Sequence, residues 1–261
     1  HFGPDETELA IHENILDQII TEDNNNGKIT NVLVLGATPE LRDLGLTKKC
    51  KVISVDMNKT VIEAAKQHLN VKSRENESII VGDWSNIPVE SGSISFIMGS
   101  ASLNNVPFEK LPDVLNEINR VLKKDGIAHF RQIVYPDQQK PEYDFNNVVK
   151  EYRDGKLSKR EFYVIPRFYS FLKDAYDKET KILYAKKVFD IFDNFYKDGL
   201  LTEEEHKYLT SFRNAVEHTV LSQGKTKELF EKHFRNVKIL HGIGEKYFED
   251  IYNVFEVQKW N

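Results

Sequence analysis

The stretch VLVLGATPELRDLG, residues 32–45, carries the first local signal of the fold. Four apolar residues lead into Gly36, and a helix-like segment follows. A short Val/Leu run of this kind is typical of a strand buried on both faces of a parallel sheet. Gly36 allows a sharp turn out of the strand, and Pro39 suits the first turn of a helix, where its missing N–H would have no partner. We therefore predict a strand, a tight turn and a helix.

The same alternation of strand and helix continues for about 130 residues. Further strands are predicted at 51–56, 78–83, 93–100 and 127–135, and helices follow a capping Asn58 and cover 108–122. A leading helix at 5–20, a closing helix at 225–234 and strands at 236–243 and 252–260 complete the pattern. This order predicts an α/β fold with a doubly wound, Rossmann-like sheet of seven mostly parallel strands.

Residues 137–222 break the alternation with long helical patterns and no convincing strand. We therefore expect an α/β cofactor-binding core at 1–136, a substrate-facing helical cap inserted after the fifth strand at 137–222, and a closing segment at 223–261. The insertion holds 16 of the 29 Phe, Tyr and Trp residues, with 15 basic and 16 acidic residues. Aromatic rings without net charge suit a wall around an organic substrate, although they also suit the core of a helical subdomain.

The overall composition favours an ordinary globular protein with a small-molecule partner. The 261 residues carry a net charge of −5, so a nucleic-acid partner is not expected. Cys50 is the single cysteine, no apolar run approaches the ~18 residues of a membrane span, and the first ten residues lack a secretory signal pattern. These features predict a cytoplasmic protein that does not associate with membranes, and they leave the oligomeric state open.

In a sheet of this type the ligand lies beyond the carboxyl ends of the strands. Asp56 closes the second strand 20 residues after Gly36, the spacing of an acid that accepts hydrogen bonds from the ribose hydroxyls of an adenosine cofactor. The alternative is an acidic cap for the helix that begins near Asn58. Ala37 and Thr38 complete the loop after Gly36, where Thr38 could donate a hydroxyl; this loop could equally be a plain strand-to-helix turn.

Asp83 ends the third strand, where a carboxylate can accept from the exocyclic amine of adenine. Trp84 or Met57 could then cover the face of the purine. The alternative for Asp83 is a second turn-capping role.

Four stretches together resemble the class I S-adenosylmethionine-dependent methyltransferases that modify small molecules. They are VLVLGATPE (32–40), VISVDMNKTVIEAAK (52–66), IIVGDWSNIPVESGSISFIMGSASLNNV (79–106) and LNEINRVLKKDGIAHF (115–130). The resemblance spans about residues 28–135 and the closing helix and strands. It implies S-adenosylmethionine as cofactor, S-adenosylhomocysteine as product, and Gly99 and Ser100 beside the methionine part of the cofactor.

This sequence departs from the family pattern at four positions. Val34 replaces the usual acid, Thr38 and Glu40 replace glycines, and Ser95 stands where the family often has Asp. Two alternatives therefore stay open at this point: a degenerate methyltransferase-like binding module, and a nicotinamide dehydrogenase. The dehydrogenase is disfavoured by the missing G-x-G-x-x-G motif and by the second acid, Asp83.

No catalytic residue can be named from the sequence, since methyl transfer from a sulfonium depends largely on positioning. Candidate acceptor-site residues lie at the exit of the fifth strand and in the insertion: Arg131, Tyr135, Arg167, Tyr169, His206 and His218.

His129 lies early on the fifth strand, so we expect a packed strand histidine. Residues 194–205 resemble a calcium loop, but Tyr196 stands where an oxygen ligand is needed, and a helix–turn–helix corner is expected instead of a metal site.

Overall fold

Strands and helices alternate along the chain, and the computed structural model describes residues 3–71, 73–135, 143–211, 217–241 and 251–260. The strands are β1 (Asn31–Leu35), β2 (Lys51–Asp56), β3 (Glu77–Val81), β4 (Ile94–Ser100), β5 (Leu122–Tyr135), β6 (Tyr176–Asp177), β7 (Ile182–Leu183), β8 (His218–Thr219), β9 (Leu221–Ser222), β10 (Arg235–His241) and β11 (Tyr252–Gln258). The helices are α1 (Glu6–Asn25), α2 (Pro39–Thr47), α3 (Lys59–Ala65), α4 (Leu111–Val121), α5 (Phe145–Arg153), α6 (Lys159–Ile165), α7 (Leu172–Ala175), α8 (Ala185–Lys197), α9 (Glu203–Leu209) and α10 (Gln223–Glu231). Among the described helices, none combines the length and apolar character that a membrane crossing requires.

Seven strands form the main sheet in the order β3-β2-β1-β4-β5-β11-β10. Neighbours are parallel except at β11, which is antiparallel to both β5 and β10. The predicted Rossmann-like sheet is confirmed. Its strand order reverses between β1 and β4, so the ligand crevice of such a sheet is expected at the carboxyl ends of these two strands.

Burial on both faces of the sheet explains the apolar run at residues 32–35. Leu33 and Leu35 contact the core on the side of α4 and α10, whereas Val32 and Val34 contact the core on the side of α1 and α2. All four side chains have no exposed surface. An acid at position 34 would therefore need a buried partner, and Val34 instead contributes to packing.

The predicted start of the fifth strand is five residues late, since β5 begins at Leu122 and not at residue 127. The Lys-Lys-Asp-Gly segment lies within the strand as an irregularity: the pairing with β4 shifts register between Ile94 and Phe96, and Asp125 has a φ of 63°. A turn-forming sequence can be accommodated in this way because a bulge leaves residues unpaired without ending a strand.

The described residues of the segment 143–222 pack around a second apolar core. Phe145, Phe162 and Phe192 are almost fully buried there, and this cluster reaches the main sheet through Ile133 and Ile251. Most of the aromatic rings in the insertion therefore form the core of the helical segment, one of the two interpretations that the sequence left open.

The prediction of no strand in residues 137–222 is wrong. β6, β7 and β8 form a small antiparallel sheet, and β9 pairs in parallel with the end of β5. Each of these strands has only two residues, which is too short for a periodic pattern to reveal. Residues 136–142, at the predicted start of the insertion, lie outside the described residues.

A chain of buried charged and polar groups crosses the sheet beneath α1. His129 on β5 lies 3.3 Å from His12 through the two Nδ1 atoms, and its Nε2 lies 3.2 Å from Glu256 Oε2. His12 Nε2 in turn lies 3.4 Å from Glu8 Oε1, and Lys238 pairs with the other oxygen of Glu256 at 2.7 Å. His129 is thus a packed and hydrogen-bonded strand histidine, as predicted.

This burial makes stability depend on pH in the acid range. Desolvation lowers the pKa of His129 to about 4 from its ordinary value of 6.5. Between these values the unfolded chain binds a proton at this histidine and the folded chain does not, so the free energy of unfolding falls as the pH is lowered through that window. We expect a loss on the order of 3 kcal/mol from pH 6.5 to pH 4.

Chemical denaturation at several pH values measures this dependence. In a His129→Gln variant the slope between pH 4 and 6.5 should be much reduced. A His68→Gln variant, which alters an exposed histidine, should keep the wild-type slope. An unchanged slope in the His129 variant would contradict the assignment.

Candidate functional site

The loop after β1 forms a tight cradle at the point where strand order reverses. Gly36 has a φ of 98°, a conformation that L side chains rarely adopt, and its N–H donates to Val55 O on β2 at 2.8 Å. A Cβ at this position would lie 3.6 Å from Ser102 Oγ, 3.8 Å from Asp56 Oδ2 and 3.9 Å from the ring of Trp84. The ends of β1, β2, β3 and β4 therefore meet around this one glycine.

The helix after the cradle begins as the sequence predicts. Thr38 is the N-cap residue of α2 and Pro39 occupies its first turn. The Thr38 side chain makes no capping hydrogen bond, so it does not occupy the free N–H groups of the first turn. Ala37 and Thr38 are both half-buried. A helix start of this kind, oriented toward the cradle, suits a negatively charged or hydrogen-bond-accepting part of a ligand.

Asp56 lies at the end of β2 with one oxygen in use and the other facing the cradle. Its Oδ1 accepts from the backbone N–H of Asn58 at 2.7 Å. Burial raises its pKa, and the hydrogen bond from Asn58 only partly offsets that effect. A desolvated carboxylate with so few donors gains from additional hydroxyl donors. Asn58 itself caps α3 through its side chain, which accepts from Val61 N–H at 3.1 Å, so Asp56 is not needed as the helix cap.

Asp83 lies next to Asp56 along the sheet edge, because Gly82 N–H donates to Asp56 O at 3.1 Å. Its side chain is exposed, and Oδ1 accepts from both the backbone and the hydroxyl of Ser85 at 2.8 and 2.9 Å. These hydrogen bonds lower the pKa of Asp83. The turn-capping role is thus present in the structure, and a role toward adenine stays a prediction.

Two apolar side chains border this edge in different ways. Trp84 is half-buried and fixed, since its indole N–H donates to Val55 O at 2.8 Å. Met57 is 69% exposed, a large value for an apolar side chain that directly follows Asp56. Val81, at the end of β3, is also exposed, at 50%. These exposed apolar surfaces are available to cover a planar ligand.

The end of β4 is held against the cradle by Ser102, whose hydroxyl donates to Leu35 O at 2.5 Å. Gly99 packs closely there: a Cβ would lie 3.2 Å from Ser102 Oγ and 3.3 Å from the ring of Phe130. The hydroxyl of Ser100 is buried without a hydrogen-bond partner in the described residues. Such an orphaned group fits a site that a ligand completes.

A cavity of about 240 Å³ begins at the next residue, Ala101. It lies between the carboxyl end of the sheet and the helical segment, and twelve of the described residues line it: Ala101, Arg131, Ile133, Tyr163, Arg167, Phe168, Leu183, Ala185, Val188, Phe189, His218 and Tyr252. Seven of these are apolar and two are cationic, and none is acidic. The cavity could therefore enclose an organic molecule that is mainly apolar.

His218 brings an unpartnered nitrogen to the cavity wall. Its Nδ1 is buried without a hydrogen-bond partner in the described residues, and burial lowers its pKa. The neighbouring Thr219 is held to the loop after β4, because its carbonyl accepts from Asn104 at 2.8 Å and its hydroxyl donates to Val106 O at 2.7 Å. The histidine is thus a neutral base at neutral pH on a segment attached to the β4 loop.

The other predicted acceptor-site residues separate into two groups. Arg131 and Arg167 line the cavity. Tyr135 instead pairs with the ring of Tyr176, at 4.6 Å between centroids, and Tyr169 pairs with Tyr143 at 5.5 Å; neither tyrosine belongs to the lining. A role for these two tyrosines in acceptor binding stays a prediction.

His206 and the calcium-like segment form a structural corner. His206 stacks on Tyr196 at 4.5 Å and pairs with Asp193 at 2.7 Å. α8 ends at Lys197, and Thr202 and Glu205 form a capping box at the start of α9. The predicted helix–turn–helix corner is confirmed, and the carboxylate of Glu205 is engaged by Arg153 at 2.7 Å.

Ser95, which stands where the resembling family often has Asp, has a structural role that the sequence pattern did not predict. Its hydroxyl donates to Asp23 Oδ2 at 2.8 Å, and Lys123 pairs with the other oxygen of Asp23 at 2.5 Å. This buried cluster joins the end of α1 to β4 and β5. The serine therefore contributes to the fold, at the end of the sheet opposite the cradle.

One family of known proteins matches part of the chain. The family described as "Methyltransferase domain" matches residues 35–130, which include the cradle, Asp56, Asp83 and the end of β4. No curated protein sequence matches the chain. Residues 35–130 are thus similar to a methyltransferase domain, and this similarity supports a class I enzyme that uses S-adenosylmethionine as its cofactor.

Solved structures share the fold at low sequence identity. A SAM-dependent methyltransferase from Methanosarcina mazei is 16% identical with a TM-score of 0.53, covering 88% of this chain and 92% of that one. A SAM-dependent methyltransferase from Aquifex aeolicus is 12% identical with a TM-score of 0.50, covering 95% and 89%. A Rhodobacter sphaeroides protein provisionally described as a zinc-dependent alcohol dehydrogenase is 13% identical with a TM-score of 0.57, covering 89% and 85%. These similarities concern the fold alone.

Proposed function

We propose that this enzyme methylates a small organic acceptor held in the 240 Å³ cavity, and that residues 137–222 act as the cap over that acceptor. The observation that carries the proposal is the position of the cavity, which begins at Ala101, directly after Gly99 and Ser100 at the end of β4. An acceptor in this cavity would lie beside the strand end where the methionine part of the cofactor is expected.

The cofactor would be held by groups that the fold already brings together. Asp56 would accept from the ribose hydroxyls, and Gly36, Ala37, Thr38 and Pro39 would form the loop and helix start around the methionine end. Met57 and Trp84 would border the adenine, with Asp83 at its edge. When bound, S-adenosylmethionine supplies a methyl group that is already activated for transfer.

The chain's own contribution is therefore mainly positioning and exclusion of water. Ala101 N–H donates to Arg131 O at 2.9 Å, which fixes the loop between the cofactor edge and the acceptor cavity. The apolar wall made by Phe168, Val188 and Phe189 keeps bulk water from the acceptor. His218 would take the proton that an acceptor hydroxyl or amine loses, because it is neutral and has an unpartnered nitrogen.

Two measurements test this function. Calorimetric titration should show that S-adenosylmethionine and S-adenosylhomocysteine bind and that NAD does not. A Val188→Phe variant, which fills the cavity from α8, should bind S-adenosylhomocysteine with wild-type affinity and lose methyl transfer to acceptors found by screening. Binding of NAD alone, or full transfer activity in the filled variant, would contradict the proposal.

A further inference from the structure

We propose that the methyl acceptor is a small, mainly apolar carboxylic acid whose carboxylate binds to Arg167 and whose separate hydroxyl or amine group receives the methyl group. This inference rests on the proposed function, because it concerns the occupant of the same cavity. The inference specifies the charge and the size of the acceptor that binds in the cavity.

The two arginines of the cavity, Arg131 and Arg167, differ in whether a carboxylate pairs with them. Arg131 forms an ion pair with Glu8, with 3.1 Å between Nε and Oε2, and lies over the ring of Tyr252. Among the described residues no carboxylate pairs with Arg167. Its guanidinium instead donates to two backbone carbonyls, Tyr163 O at 2.7 Å and Leu209 O. Within the part of the chain that the structure describes, the cavity therefore contains one cation that has a counter-ion and one that has none.

Arg167 keeps its charge although it is buried. The residue is 7% exposed, and desolvation lowers its pKa to about 10, which still leaves it protonated at neutral pH. The ring of Tyr163 lies 3.3 Å from the guanidinium carbon, and Phe192 lies at 5.2 Å. Aromatic faces stabilise a cation only modestly, so a buried guanidinium in this setting gains most from an anion.

The two carbonyl contacts position the guanidinium and leave part of it available. Tyr163 lies one turn before Arg167 in a helical stretch that continues from α6 through a π-helix at Pro166–Ser170. Leu209 is the last residue of α9, so its carbonyl belongs to the negative end of a helix. The two carbonyl contacts use two of the five N–H groups of arginine. The planar guanidinium matches a carboxylate through paired hydrogen bonds, which a neutral amide cannot reproduce.

The other residues that line the cavity indicate the chemical character and size of the rest of the acceptor. Ile133, Phe168, Leu183, Val188 and Phe189 form an apolar wall, which favours an aryl or alkyl body. A dry cavity of ~150 Å³ holds benzene, so 240 Å³ corresponds to about ten non-hydrogen atoms. An aromatic ring with a short acid side chain has this size.

The test compares acids with their neutral amides on the S-adenosylhomocysteine-saturated enzyme and on the enzyme alone. The probe pairs are benzoate and benzamide, phenylacetate and phenylacetamide, and 3-phenylpropionate and 3-phenylpropionamide, titrated by calorimetry. We expect at least one acid to bind about ten- to hundredfold more tightly than its amide, the range of a charge-assisted hydrogen bond. In Arg167→Gln the preference should disappear, and in Arg167→Lys it should be partly restored.

Arg153→Gln is the matched control, because Arg153 is a second arginine of the helical segment but pairs with Glu205 and does not line the cavity. It should keep the acid preference. The proposal is overturned if no acid binds more tightly than its amide, or if Arg167→Gln keeps the preference. If the wild-type enzyme does not bind S-adenosylhomocysteine, the proposed function is refuted. If it binds S-adenosylhomocysteine but shows no preference for acids over amides, only the proposal of a carboxylate-bearing acceptor is refuted.

Discussion

A His218→Gln variant is expected to transfer methyl groups about a hundred- to ten-thousandfold more slowly than the wild-type enzyme, the usual contribution of a general base. The reason is local: His218 is the histidine among the cavity-lining residues, it is neutral because burial lowers its pKa, and its Nδ1 has no partner in the described residues. Glutamine keeps the size and polarity of the side chain but cannot hold the proton. Steady-state kinetics with an acceptor found by screening measures the loss.

The pH profile separates this role from a structural one. The wild-type rate should fall in acid as His218 becomes protonated, with the midpoint below the ordinary histidine value of 6.5 because burial lowers its pKa. The His218→Gln variant should lose this acid limb and keep its affinity for S-adenosylhomocysteine. His206→Gln, which alters the histidine paired with Asp193, should resemble the wild type. A wild-type kcat in the His218 variant would remove this residue from the chemistry.

An Asp56→Ala variant is expected to bind S-adenosylhomocysteine about ten- to hundredfold more weakly, which corresponds to ~1.5 to 3 kcal/mol for a charge-assisted hydrogen bond. Asp56 faces the cradle next to Gly36, and burial with few donors raises its pKa. The carboxylate therefore gains hydrogen bonds on binding that no side chain of the described residues supplies. Calorimetric titration measures the change in dissociation constant.

Two companion variants sharpen the result. Asp56→Asn keeps the size of the side chain and one acceptor oxygen, so its loss should be smaller than that of Asp56→Ala. Asp198→Ala, at the exposed end of α8, should bind with wild-type affinity. An unchanged dissociation constant in Asp56→Ala would exclude this carboxylate from the cofactor site.

The proposed cofactor edge of the sheet was predictable from the sequence because its signals are local. A buried strand, a glycine and a helix start follow one another within residues 32–45, and Asp56 ends the next strand. Parallel strands bring such residues to one edge of the sheet whatever the details of packing. The structure places Gly36, Asp56, Trp84 and Gly99 around that edge as this reasoning requires.

The proposed acceptor cavity was only partly predictable, because its residues come from distant segments. Arg131, Arg167 and His218 were candidates by residue type and all line the cavity, but Tyr135 and Tyr169 were chosen on the same grounds and pack elsewhere. Tyr252 was missed, since it reaches the cavity only because β11 lies beside β5. Aromatic residues at helical spacing do not reveal which ring faces a cavity and which faces the core.

A crystal structure of the complex with S-adenosylhomocysteine would show where the nucleoside and the sulfur lie. We expect the adenosine at the carboxyl ends of β1 and β2, with both ribose hydroxyls donating to Asp56 and the sulfur directed toward Ala101 and the cavity. A nucleoside bound elsewhere, an Asp56 side chain turned away from the ribose, or a sulfur directed away from the cavity would contradict this account.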